Sequence, residues 1–164
     1  MVTSYQHENL KHLIATLVEL LAEELEIDIE AAGSTTFQRE DLARGFEPDA
    51  SFYIQHAAHI RGHEHIDLNT DPPPELVIEI DITRPSLNKF SIFAGLGITE
   101  VWRYHEHALI ILKLEGETYG SGETSGIFPG LTSAGLTRLI AESQQMKRTD
   151  WLHSVRELAR ILKA

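Results

Sequence analysis

The sequence predicts an α/β fold, a central mixed β-sheet flanked by helices, in one domain over residues 1–164. Three observations predict it. An amphipathic helical stretch opens the chain, strand-like segments with one helical stretch among them fill the middle, and two helical segments close it. That order suits a sheet with helices packed against its faces. At 164 residues the chain can bury a core without cross-links, and no repeat or long linker divides it.

Residues 5–25, YQHENLKHLIATLVELLAEEL, set Leu10, Leu13, Ile14, Leu17, Val18, Leu21 and Leu25 three and four apart, the period of one helical face. Ser4 suits the N-cap. Ile27 and Ile29 alternate with Asp28 and Glu30 as a half-buried strand does. After a turn at Gly33–Ser34, Thr35–Phe37 suit a second strand, 41–48 a loop, and Asp49–Ile54 a third strand. Residues 55–74 are polar and histidine-rich and end in NTDPPPE; the prolines exclude a helix interior or central strand, leaving a loop or peripheral hairpin. Leu76–Ile82 is the clearest strand, and its first half is apolar on both faces, which marks a central position. A helix follows from about Leu87 to Leu96, opened by Pro85 or Ser86 and closed by Gly95 and Gly97. Strands at 99–105 and 108–114 meet in a tight turn at Glu106–His107, and 117–122 adds another. Helices at 133–146 and 151–162 complete the chain.

The absence of cysteine excludes a thiolate metal site or thiol nucleophile. The N-terminus lacks a signal-peptide pattern, and no run approaches the roughly 18 apolar residues of a membrane span, so a cytoplasmic protein with no membrane association is expected. A net charge of −11 by itself disfavours a nucleic-acid partner. The charge is uneven, with six Lys and Arg against three Asp and Glu in residues 133–164.

Two acids stand out. Asp49 follows Pro48 at the start of a strand, and Glu79 sits in a strand otherwise made of Val77, Ile78 and Ile80. A carboxylate there loses solvation worth several kcal/mol unless a cation compensates it. A divalent metal is one such cation; Arg39, Arg44, Arg84 or Arg103 offers another. Asp81, two residues beyond Glu79, projects to the same strand face. Converging carboxylates repel unless they hold a cation or a proton, and an all-oxygen site suits Mg2+ or Mn2+. Lys89 begins the next helix, in position to aim its ammonium at the strand end.

The segments EPDASFYI, PPPELVIEIDITRPSLNK and FAGLGITEVWRY resemble the restriction-endonuclease domain family abundant in cyanobacteria, of the PD-(D/E)xK nuclease superfamily. The resemblance runs from the first helix to about residue 140. It implies a restriction-endonuclease-like sheet, an endonuclease hydrolysing DNA phosphodiester bonds with Mg2+ (or Mn2+), and a homodimer able to cut two strands. By resemblance, Asp49, Glu79 and the carbonyl of Ile80 hold the metal, Asp81 holds a second ion or a metal-bound water, and Lys89 serves the attacking water. Glu8 and Glu47 are outer candidates. The chain departs from the superfamily in having Asp81 where lysine is usual and Thr83–Arg84–Pro85–Ser86 where serine-proline is usual. The alternative is a catalytically silent nuclease-like fold acting as an interaction or structural protein.

Other features read as structural. His56, His59, His63 and His65 lack the spacing of a structural zinc site; the HxxH and HxH steps together could bind a transition metal weakly, but the stretch reads as a polar loop. The glycines of YGSGETSG read as a hairpin turn. Trp102 and Tyr104 alternate with Val101 and Arg103, one face for the core and one for a cleft, with Arg103 near a phosphate.

Overall fold

The apolar stripe at the N-terminus forms one helix, α1 (Tyr5–Leu25), and the side chain of Ser4 caps it by accepting the His7 N–H. The structure, a computed structural model, describes residues 4–41, 45–82 and 87–164. The sheet has six strands in sequential order: β1 (Glu30–Ala31), β2 (Ala50–Tyr53), β3 (Leu76–Asp81), β4 (Glu100–His105), β5 (Ala108–Glu115) and β6 (Thr118–Gly122). β3 and β4 pair parallel; the other neighbours pair antiparallel, so the sheet is mixed. A parallel pair needs a crossover, and α3 (Leu87–Leu96) supplies it. Gly97, at φ 79, ends α3, with its N–H donating to the Ala94 carbonyl and the Ile98 N–H to the Phe93 carbonyl. Glu106 and His107 both take positive φ, the primed turn that matches strand twist in a two-residue hairpin.

Strand alternation divides the core into two layers. Leu76, Ile78, Ile80, Trp102, Tyr104, Leu109 and Ile111 bury one face under α1, α4 (Ser133–Ser143) and α5 (Arg148–Lys163). Val77 and Val101 bury the other face with Phe93, Phe37, Phe46 and the short helix α2 (Ala57–Ile60). β3 is buried along its whole length, as its two apolar faces predict. Every buried charge in such a core needs partners. Glu100 has three: it accepts from Trp102 Nε1, Ser125 Oγ and the Gly126 N–H.

Several expectations shift. Ile27 and Ile29 pack against the core without entering a ladder; the strand forms one step later, at Glu30–Ala31. Burial alone produced their alternation. Thr35–Phe37 contributes one bridge, Phe37 to Phe46. The histidine-rich stretch carries α2 in place of a plain loop. Gly120 and Gly122 lie inside β6, not in a turn, and Gly126 holds Glu100. Part of the 41–48 loop, including Arg44, lies outside the described residues, as do Arg84 and the proposed helix opening at Pro85–Ser86.

α5 packs on α1 and α4 through Trp151, Val155 and Ala159. The Trp151 ring is buried and its Nε1 donates to the Leu139 carbonyl at 2.8 Å. Trp151→Ala is expected to destabilise the protein by about 3–5 kcal/mol, read as a lowered urea midpoint. A change within error would mean that α5 is not part of the cooperative core.

Candidate metal centre

The antiparallel register of β2 and β3 pairs Ala50 with Ile78, so one further step sets Asp49 across from Glu79. Asp49 has already left the ladder, and its side chain takes the place of a strand partner: Oδ2 accepts the Ile80 N–H at 2.7 Å. The N–H and C=O of one strand residue point to the same side, so the Ile80 carbonyl lies along the edge that Asp49 occupies.

Glu79 is 2% exposed, and among the described residues Oε1 has no hydrogen-bond partner. Its other oxygen lies 3.5 Å from Lys89 Nζ, which also donates to the Glu47 carbonyl at 3.2 Å. Burial pushes the Glu79 carboxyl up to about 8; the negative charge of Asp49 adds to the shift, and Lys89 opposes it. The Lys89 side chain is partly exposed, so its ammonium joins the buried acid to solvent.

Asp81 shares the strand face of Glu79 but has a different partner. Arg103 stands beside Glu79 in the parallel register, yet its Nε meets Asp81 Oδ2 at 2.6 Å, and its guanidinium lies 5.8 Å from the Phe90 ring centroid. Arg103 therefore neutralises Asp81, while Glu79 is left with a lysine at the edge of contact.

His7 completes the group. Its Nε2 lies 3.0 Å from Asp49 Oδ1, so both Asp49 oxygens are engaged. The buried His7 Nδ1 makes no hydrogen bond; Glu8 Oε1 is 3.5 Å away. The sequence offers Glu8 of this helix only as an outer candidate and does not single out His7. A signal existed: His7 continues the apolar stripe of Leu10, Ile14, Leu17 and Leu21, so it had to face inward. The Glu47 side chain accepts from Thr36 Oγ1, and only its backbone carbonyl meets Lys89.

The structure thus brings together Asp49, Glu79, Lys89 and the backbone of Ile80, with Asp81 alongside and tied to Arg103. Two carboxylates and a strand carbonyl are an all-oxygen donor set, which fits a hard divalent cation, and the orphaned Glu79 Oε1 is a donor such an ion would engage. A surface cleft of about 340 Å³ lies elsewhere, lined by residues such as Glu30, Thr36, His63 and His65. Its position does not bear on these acids. No helix among the described residues is long and apolar enough to cross a membrane.

No curated protein matches the chain. Among solved structures, it is similar to the crystal structure of "a putative nuclease belonging to DUF820" from Anabaena variabilis ATCC 29413. The TM-score is 0.59 at 13% identity, over 93% of this chain and 84% of that one, a likeness of fold. The match agrees with the mixed six-stranded sheet and flanking helices. The family model Uma2, described as "Putative restriction endonuclease", matches residues 1–146. Since that span takes in α1, the whole sheet and Asp49, Glu79 and Lys89, the chain belongs to the Uma2 family.

Proposed function

We propose that this protein is a Mg2+-dependent endonuclease that hydrolyses DNA phosphodiester bonds, with Asp49, Glu79 and the Ile80 carbonyl holding the ion. The observation that carries this reading is the buried, unpartnered Glu79 oxygen beside a second carboxylate. Bound there, Mg2+ would supply Lewis acidity toward the scissile phosphate and acidify a water nucleophile. The chain's own groups do the rest. Asp49 is held at both oxygens, by Ile80 and by His7, so its carboxylate is set before substrate arrives. Lys89 extends from the buried acid to solvent, suited to orient the nucleophile and offset charge developing on phosphorus. Arg103, fixed by Asp81 and Phe90, adds positive charge to the same face, and Asp81 acts as its positioning partner. Cutting both strands would call for two such centres, as a homodimer provides.

A rival reading keeps the fold and discards the chemistry, leaving an interaction or structural protein. The Lys89–Glu79 contact favours it, because a lysine partly compensates the acid without a metal. Cleavage of plasmid DNA with Mg2+ or Mn2+ decides between them. Asp49→Ala, Glu79→Ala and Lys89→Ala are each expected to lower the rate roughly 100-fold or more with the circular dichroism spectrum retained. Undiminished cutting by all three variants would defeat the nuclease assignment at these residues.

A second test reads the carboxyl group itself. A folded-state value near 8 against an ordinary 4.5 means that the metal-free folded protein binds a proton the unfolded chain has lost between those two values. Glu79 therefore contributes stability that is complete at low pH and is lost as pH rises through about 8. Thermal unfolding of metal-free protein should show this decline, and Glu79→Gln should flatten it. Mn2+ binding at pH 7 should release about one proton, measured by calorimetry in two buffers of different ionisation enthalpy. Proton release unchanged by Glu79→Gln would place the ion elsewhere.

A further inference from the structure

The histidine-rich crossing between β2 and β3 gathers a second set of ligand-type groups, none of which belongs to the carboxylate centre. α2 ends at Ile60, and Gly62, at φ 87, reverses the chain so that the His63 N–H donates to the Ile60 carbonyl at 3.0 Å. A side chain at position 62 would be strained in that conformation. The reversal brings the His63 ring beside the His59 ring, centroids 5.4 Å apart. Asp71, from the far end of the crossing, points Oδ1 at both: 3.2 Å from His59 Nε2 and 3.9 Å from His63 Nε2. One ligand atom from each residue lies within 4.8 Å of the other two, and these are the three ligand-type side chains that converge so closely among the described residues.

The carboxylate is fixed in place. Asp71 Oδ2 accepts the Asp67 N–H at 2.9 Å, and the Asp71 N–H returns to the Asp67 carbonyl at 2.6 Å. The Asp67 N–H, with help from the two imidazoles, holds the Asp71 carboxyl below its ordinary value, so it stays an anion. Arg61, between the two histidines in sequence, is engaged by Asp28, Glu30 and the Ile29 carbonyl, which moors the crossing to the β1 edge. The His59 and His63 side chains are 54% and 38% exposed, so solvent reaches the nitrogens.

We propose that His59, His63 and Asp71 bind a divalent transition ion of borderline softness, Zn2+ above all, with water completing its coordination. Two imidazole nitrogens and one carboxylate oxygen favour such an ion over Mg2+ or Ca2+, which take oxygen. Bonds of about 2.0–2.1 Å in a tetrahedron put neighbouring donors roughly 3.3 Å apart. The His59–Asp71 separation already matches that edge; the His63–Asp71 separation of 3.9 Å and the His59–His63 edge, within 4.8 Å, must close by rotation of the exposed imidazoles. The ion would clamp both ends of the segment joining the strands that carry Asp49 and Glu79.

Calorimetric titration of Zn2+ tests this in the Asp49→Asn/Glu79→Gln double variant, which lacks the other carboxylate centre. One Zn2+ per chain is expected. His59→Ala or His63→Ala should weaken it at least about tenfold, the loss that even outer-shell partners of metal ligands produce. His56→Ala and His65→Ala should leave it unchanged. If the double variant does not fold, the titration is made in the wild-type chain, where the His59 and His63 substitutions must each remove one Zn2+ equivalent. No Zn2+ binding, or binding that survives both substitutions, overturns the site whether or not the protein cuts DNA.

Discussion

An ionisable carboxyl group kept out of water in the middle strand of the sheet is the constraint around which the site is organised. Glu79 is flanked by Ile78 and Ile80, pairs with Arg103 of β4 and is 2% exposed. Its surroundings answer this cost in graded ways. Lys89 approaches one oxygen, a proton is retained near neutral pH, and the other oxygen is left with no partner. By contrast Glu100, equally buried one strand away, has three hydrogen-bond donors. Two acids of equal burial in neighbouring strands thus differ in how fully the fold satisfies them.

The strands that build this arrangement were largely legible in the sequence. Leu76–Asp81 lies in a run apolar on both faces, and burial on both faces is what a central strand requires. The α1 and α3 limits, and the turn at Glu106–His107, follow from periodicity and from glycine placement. The errors share a cause. Ile27 and Ile29 alternate because they cover the core beyond a helix end, where Glu26 takes a left-handed conformation, and not because they pair with a strand. Thr35–Phe37 has β-prone residues, but its neighbour pairs through Phe46 alone. Pattern reports burial; pairing depends on what the rest of the chain brings alongside.

The same limit governs the sites. Asp49, Glu79 and Lys89 were singled out from local pattern and resemblance, yet the facing of Asp49 and Glu79 depends on a register that joins segments some thirty residues apart. His7 was missed because it comes from a third segment and sits among apolar helix positions. Asp71 was hidden in a proline-rich tract, and its meeting with His59 and His63 rests on a glycine reversal that the sequence only permits. Lys89 and Arg103 also illustrate how partner choice escapes pattern. Arg103 was one of four candidate counter-ions and Lys89 a candidate for the attacking water; geometry sets Arg103 against Asp81 and Lys89 against Glu79.

The basic excess near the C-terminus has a further consequence for encounter with a polyanion. Arg156 bridges Glu23 and Glu24, Arg160 reaches Glu24, Lys163 reaches Glu26, and Arg148 lies over Trp151. Arg156, Arg160 and Lys163 are thus paired with acids at the C-terminal end of α1. A polyanion drawing near a chain of net charge −11 meets repulsion at long range. Added electrolyte shortens the reach of that repulsion, to about 10 Å at 0.1 M. Moderate ionic strength would then ease the approach of any polyanion, the reverse of the behaviour of a protein lined with lysines.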